Sequence, residues 1–346
     1  MDATIESVKE YYGKVLQGSK DLKTSACCAV EALSPALQKI VSQIHPEVRD
    51  RFYGCGAPFP AQLEGATVLD LGCGTGRDCY VLSQLVGESG HVIGVDMTPP
   101  QLEIARTHAE YHRKQFGHSR SNVTFLEAYI EDLQSAGIAD SSVDVVVSNC
   151  VTNLSPDKKR VFSELLRVLK PGGELYLSDV FSLQRLPNYF REDPVLLGEC
   201  LGGALYVEDF RRLLLDLGVR DYRVMNRSKI ELVNDSVATK AGGFDFYSIT
   251  VRAFKLDLED RCEDYGQVAH YLGSIAEMPH GFRLDDHHYF ATGKRLAVCS
   301  NTASMLSATR FAPHFCIEGN LKRHYGLFDC GPAAAASADP GPGACC

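Results

Sequence analysis

The sequence predicts an α/β fold: a parallel sheet carrying helices, followed by a smaller α+β region and a C-terminal domain. Three observations predict it. Short apolar runs of strand length recur from residue 67 onward, stretches with helical spacing lie between most of them, and a glycine-rich loop follows the first strand directly. Alternation of this kind builds βαβ units, whose strands pair in parallel with helices on both faces.

The elements follow in order. Ile5, Val8, Tyr11, Tyr12, Val15 and Leu16 recur at helical spacing, which predicts a helix over 4–17. Residues 18–65 are rich in turns. Strands are expected at 67–71, 91–95, 123–126, 143–148 and 174–181, and helices at 78–86, 100–116 and 156–170. Ser155 reads as the N-cap of the last helix, with Pro156 in its first turn. Pro171-Gly172-Gly173 reads as its stop. Farther on, 207–217 is amphipathic and ends at Gly218, and 244–255 alternates as a strand does. The expected divisions are a thiol-bearing N-terminal segment (1–59), the α/β domain (60–182), an α+β region (183–258), a C-terminal domain (259–330) and an Ala/Gly/Pro-rich tail (331–346) whose composition suits a flexible chain.

Composition excludes several classes of function. Lys and Arg number 35 against 44 Asp and Glu, for a net charge of −9, and no basic run interrupts the balance. Capture of a nucleic-acid backbone needs clustered cations, so no nucleic-acid partner is expected. No apolar run approaches the roughly 20 residues that span a bilayer, so no membrane partner is expected. The first ten residues are charged and lack the apolar centre of an export signal. A cytoplasmic protein is therefore expected. Thirteen cysteines in a long chain of this kind should be mostly reduced thiols rather than a disulfide scaffold. A share of them packs as small hydrophobes; the rest invite a soft ligand.

The loop Asp70-Leu71-Gly72-Cys73-Gly74-Thr75-Gly76 lies between the first strand and a helix. Gly72, Gly74 and Gly76 let the backbone turn tightly and approach a ligand. Asp96 ends the second strand about 20 residues on, where a carboxylate accepts from both ribose hydroxyls of a nucleoside. The spacing is G-x-G-x-G with an acid before it, not the G-x-G-x-x-G of a pyrophosphate site. That acid suits the ammonium and sulfonium of S-adenosylmethionine better than it suits a dinucleotide. Ile130 and Glu131, just past the third strand, supply an apolar face and an acid for an adenine. Met97, Tyr53 and Asn149 complete the expected cofactor-binding set. Over roughly 60–180 the sequence resembles the class I S-adenosylmethionine-dependent methyltransferases, which implies a Rossmann-like sheet and leaves the substrate open.

Thiols narrow the substrate. The fourth strand ends in Ser148-Asn149-Cys150-Val151, where many class I enzymes hold the methyl acceptor with Asn-Pro-Pro-Tyr. Cys200 stands in a second glycine-rich stretch, Gly198-Glu199-Cys200-Leu201-Gly202-Gly203-Ala204, and Cys55 in Tyr53-Gly54-Cys55-Gly56. Cysteines on loops around one pocket fit a thiophilic guest. These segments, with Gly76-Arg77-Asp78-Cys79-Tyr80, resemble those of the arsenite methyltransferases over most of residues 1–255. The resemblance implies that Cys150 and Cys200 hold trivalent arsenic and that Cys55 can join them. It implies that Cys27 or Cys28 exchanges disulfides with Cys55 between methylations, the choice between the two staying open. It also implies arsenite or its glutathione conjugate as substrate, mono- and dimethylated products with a third methylation open, a thioredoxin- or glutathione-type reductant, and no metal cofactor. Two alternatives carry different expectations: a sterol- or quinone-type methyltransferase with incidental cysteines, and a metalloid-buffering protein indifferent to Asp96. Asp285-Asp286-His287-His288 lacks a ligand spacing and reads as a solvated loop.

Overall fold

In the computed structural model, which describes Lys9 and residues 33–329, the expected strands assemble into one mixed sheet. β1 (Thr67–Leu71), β2 (His91–Asp96), β3 (Val123–Glu127), β4 (Val143–Asn149) and β5 (Leu169–Ser182) are mutually parallel. β6 (Leu205–Tyr206) pairs with the end of β5, and β7 (Tyr222–Lys229) and β8 (Phe246–Phe254) complete the sheet in the order β3-β2-β1-β4-β5-β8-β7. β8 runs antiparallel to both its neighbours. The order reverses between β1 and β4, which opens a crevice at their carboxyl ends, the usual ligand position in such sheets.

Both faces are covered, so the central strands are apolar on both sides. Val145 and Val147 of β4 pack with Val68, Val92 and Tyr80 of the helix Arg77–Val86. Val146, between them, points the other way, into a core with Val161, Phe162, Leu165 and Val168 of the helix Lys158–Val168.

Four local expectations change. The helix over 100–116 is two helices, Pro99–Thr107 and Ala109–Phe116, broken at His108. The break turns the second helix so that His112 is buried and stacks on Tyr80, ring centroids 3.5 Å apart. Ser155 is not the cap of the next helix. Asp157 is, its Oδ1 accepting from the Arg160 N–H at 3.0 Å, while the Ser155 hydroxyl turns to Glu131. Pro171-Gly172-Gly173 does not stop a helix; the chain is already extended from Leu169, and Leu169 pairs with Val143 before a shift in register. Finally, the sheet does not end at residue 182: β7 and β8, assigned from sequence to a separate α+β region, extend it. Their core-facing residues, Ile249, Val251 and Ala253, continue the same apolar layer.

The C-terminal domain holds three small antiparallel sheets built from β9 (Glu263–Asp264), β10 (Gln267–Tyr271), β11 (Gly281–Arg283), β12 (Tyr289–Ala291), β13 (Arg295–Val298), β14 (Phe315–Glu318) and β15 (Gly326–Leu327). Tyr271, Phe282, Phe290, Phe311 and Phe315 form its aromatic core together with Phe254 of β8. Buried ion pairs lock it to the main sheet. Glu174 of β5 meets Arg252 of β8 at 2.6 Å and also pairs with Arg310. Arg223 of β7 bonds Asp221 at 2.7 Å and reaches Asp285 at 3.2 Å. Burial alone would push the Glu174 carboxyl up; the Arg252 and Arg310 guanidiniums outweigh it and hold the group below its usual value. Asp285, expected in a solvated loop, is buried and accepts from the His287 and His288 backbones as well as from Arg223.

Candidate active site

The crevice at the ends of β1 and β4 is lined by Tyr53, Gly72, Gly74, Asp96, Met97, Ile130, Glu131 and Asn149, eight of the nine residues expected to hold the cofactor. Gly76 does not line it. Its N–H donates to the Cys73 carbonyl, and its missing side chain leaves room for the Phe125 ring, to which a Cβ would come within 2.8 Å. Asp96 organises the loop: one carboxylate oxygen accepts from the Gly74 N–H and the other from the Thr98 N–H, each at 2.8 Å. Burial pushes its carboxyl up, and these backbone donors oppose the shift.

Two more acids stand on the floor of the cleft. Asp70 and Asp78 are both buried and both line it. Burial, and then the neighbouring Asp78 carboxylate, pushes the Asp70 carboxyl well up. Asp78 Oδ1 accepts no hydrogen bond, and Arg77 stands 3.7 Å from it. An adenosyl donor with an ammonium and a sulfonium fits this floor: it brings positive charge and N–H donors to acids that burial leaves short of both. Asp78 lies in a motif singled out from sequence, but no pattern marked it as part of the floor.

The three thiols expected to hold arsenic converge beside the cleft. Cys55, Cys150 and Cys200 are buried in one cluster with Val180, Phe190, Leu196 and Phe246. Cys55 and Cys150 are joined as a disulfide, with Cα atoms 5.7 Å apart. Cys200 donates its S–H to the Cys150 carbonyl at 3.3 Å. Cys150 and Cys200 both have left-handed backbones, with φ of 60° and 61°. Non-glycine residues rarely adopt that conformation, and such strain gathers at functional sites. Nothing in the sequence signalled it. Cys27 and Cys28 lie outside the described residues.

Asn149 ties the thiol segment to the sheet. Its Oδ1 accepts from the N–H groups of Cys55 (2.9 Å) and Gly56 (3.1 Å), and its Nδ2 donates to the Gly56 carbonyl and to Asp78 Oδ2, each at 2.9 Å. The amide expected to touch cofactor is thus engaged within the protein. Gly54 permits the close approach, since a Cβ there would fall 2.4 Å from the Asn149 amide nitrogen. From the other side, the Ser248 hydroxyl of β8 donates to the Cys55 carbonyl at 2.8 Å. Lys158 is half-buried nearby and donates to the Asn153 and Ser155 carbonyls. Burial pushes its ammonium down to about 8, against the opposing pull of Asp179 and Cys200.

Comparison with known proteins places these features in a family. A methyltransferase-domain model matches residues 62–226, and a model of the arsenite methyltransferase C-terminal domain matches residues 265–340. The chain is 56% identical to the arsenite methyltransferase of Aquipseudomonas alcaligenes over 94% of each protein. It is 44% identical to that of Mus musculus, over 91% of this chain and 83% of the relative. The crystal structure of an arsenic(III) S-adenosylmethionine methyltransferase from Chlamydomonas reinhardtii superimposes with a TM-score of 0.83 at 51% identity, covering 86% of this chain and all of that one. The resemblance read from residues 1–255 therefore runs on through the C-terminal domain.

Proposed function

The chain belongs to the arsenite methyltransferases, and from that premise we propose how its convergent thiols carry out the reaction. The protein is an S-adenosylmethionine-dependent methyltransferase of arsenite. The observation that carries the proposal is the meeting of Cys55, Cys150 and Cys200 in one buried cluster, with Cys150 lining the cofactor cleft.

When bound, S-adenosylmethionine supplies an electrophilic methyl on a sulfonium. Asp96 accepts from the ribose hydroxyls, Ile130 and Glu131 take the adenine, and Asp70 and Asp78 meet the cationic end. Cys150, Cys200 and Cys55 bind trivalent arsenic as thiolates, leaving its lone pair free to attack the methyl carbon. Arsenic has no proton to lose, so no general base is needed. Catalysis then rests on positioning and on electron donation by sulfur. The rigid setting of Cys150 and Cys200 serves that positioning.

Methyl transfer leaves arsenic formally two electrons more oxidised. Two thiolates of the site return those electrons by closing a disulfide, and the Cys55–Cys150 bond is the pairing that the geometry favours. Cys27 or Cys28 then exchanges with it, and a thioredoxin- or glutathione-type thiol reopens the site. This cycle suits a reducing cytoplasm, and arsenite or its glutathione conjugate can enter it by thiol exchange. Among the described residues no helix is long and apolar enough to cross a membrane.

The test is arsenic speciation with purified enzyme, S-adenosylmethionine and thiol. Cys150→Ser and Cys200→Ser should each abolish methylation while cofactor binding survives. Normal turnover by both variants refutes the ligand assignment.

A further inference from the structure

Beneath the glycine loop lies a second pair of thiols that the reaction does not use. Cys73 belongs to the loop, and Cys79 to the first turn of the helix after it. Their sulfurs crowd one point above Gly94 of β2: a Cβ there would stand 2.6 Å from Cys79 Sγ and 2.9 Å from Cys73 Sγ. The Cys73 S–H is directed at the Gly74 carbonyl, 3.9 Å away, and Cys79 donates to Asp70 Oδ2 at 3.2 Å. Both are buried, and neither is in a disulfide. Cys73 also lines the cofactor cleft, so the pair meets solvent through the space that the adenosyl donor fills.

We propose that Cys73 and Cys79 form a second binding site for trivalent arsenic, open only while the cofactor cleft is empty. Two converging sulfurs suit a soft metalloid. Two S–H and two As–OH bonds break, two As–S bonds form and two waters leave. Arsenic stays trivalent, and no reductant or oxidant is consumed. Burial pushes the Cys73 thiol up to about 11 and raises that of Cys79 as well. Little thiolate is then present, so the exchange is slow.

Occupancy would disturb the loop. The Cys73 N–H donates to the Val95 carbonyl at 3.0 Å, its own carbonyl accepts from Gly76 at 2.8 Å, and the next residue, Gly74, donates to Asp96. An arsenic atom that draws Cys73 toward Cys79 pulls against the contact that shapes the ribose site. Arsenic here and nucleoside in the cleft therefore exclude each other, and excess substrate inhibits in competition with the methyl donor. The inference rests on arsenite being the substrate, not on the Cys55–Cys150–Cys200 ligand set.

The test counts arsenic per chain. Reduced full-length protein is equilibrated with excess arsenite, desalted and analysed by elemental mass spectrometry, with and without saturating S-adenosylhomocysteine. Cys73→Ser and Cys79→Ser should each carry one arsenic fewer than wild type without the nucleoside and the same number with it. Equal counts without the nucleoside overturn the site, and a deficit that persists with it overturns the exclusion. A measurement that leaves both thiols in place covers misfolding of the variants: in the Cys200→Ser protein, arsenite should weaken S-adenosylhomocysteine binding, and an unchanged affinity overturns the proposal. Failure of the catalytic assignment shows separately, as a Cys200→Ser chain that keeps all its arsenic with the nucleoside bound.

Discussion

Replacing Asn149 with Ala should release Cys55 without touching a sulfur. Three of the four amide hydrogen bonds hold residues 55 and 56: two donated by their N–H groups and one accepted by the Gly56 carbonyl. At about 1 kcal/mol each, they hold the segment by about 3 kcal/mol, roughly a hundredfold in its local opening equilibrium. The Cys55 side chain is 1% exposed, so alkylation must wait for that opening. The assay is iodoacetamide labelling of the dithiothreitol-reduced apoprotein, with Cys55 followed by peptide mass spectrometry and the buried Cys299 of the C-terminal domain as internal control. Labelling of Cys55 should rise about a hundredfold, with Cys299 unchanged and arsenite affinity reduced. Asn149→Asp keeps the two acceptor bonds, loses the donor to Gly56 and faces Asp78, so it should fall between. An unchanged Cys55 rate in Asn149→Ala would refute the argument that this amide positions the thiol.

Glu174→Gln leaves the buried Arg252 and half-buried Arg310 guanidiniums without their counter-charge and should cost about 3–5 kcal/mol in urea unfolding. Because the folded state holds the Glu174 carboxyl below its usual value, its contribution is complete above that value, about pH 4, and fades as pH falls through the folded one; the gap between wild type and variant should narrow in acid. Asp96→Ala removes the anchor of Gly74 and, on the proposed reading, the acceptor for two ribose hydroxyls, and should weaken S-adenosylmethionine binding by about a hundredfold or more by calorimetry. Cys27→Ser combined with Cys28→Ser should spare the first methyl transfer and block later ones; an unchanged product series argues against the relay.

Much of the fold was legible because it obeys local rules. The five parallel strands are apolar runs of the right length, and the glycine loop with Asp96 marks the crevice between β1 and β4. Tertiary contacts override local signals elsewhere. Ser155 has every feature of a cap, yet its hydroxyl is taken by Glu131, and Asp157 caps instead. β8 reads as a strand, but its antiparallel place beside β5 depends on pairings distant in sequence. At the site, loop placement drew attention to several cysteines, and the family resemblance narrowed the expected arsenic ligands to Cys55, Cys150 and Cys200. Their left-handed backbones, the saturation of the Asn149 amide and the burial of Asp78 are products of packing that no spacing encodes. Gly76 shows the converse: the missing side chain of a glycine in a binding motif also leaves room for an aromatic ring.

The hydrogen bond from Ser248 to the Cys55 carbonyl spans 193 residues of chain. During synthesis, Cys55, Cys150 and Cys200 all leave the ribosome before the strand that holds Cys55 in place. A nascent chain therefore carries reactive sulfurs for the time it takes to make β8, unable to present them as one site and exposed to the same metalloid the finished enzyme is built to process.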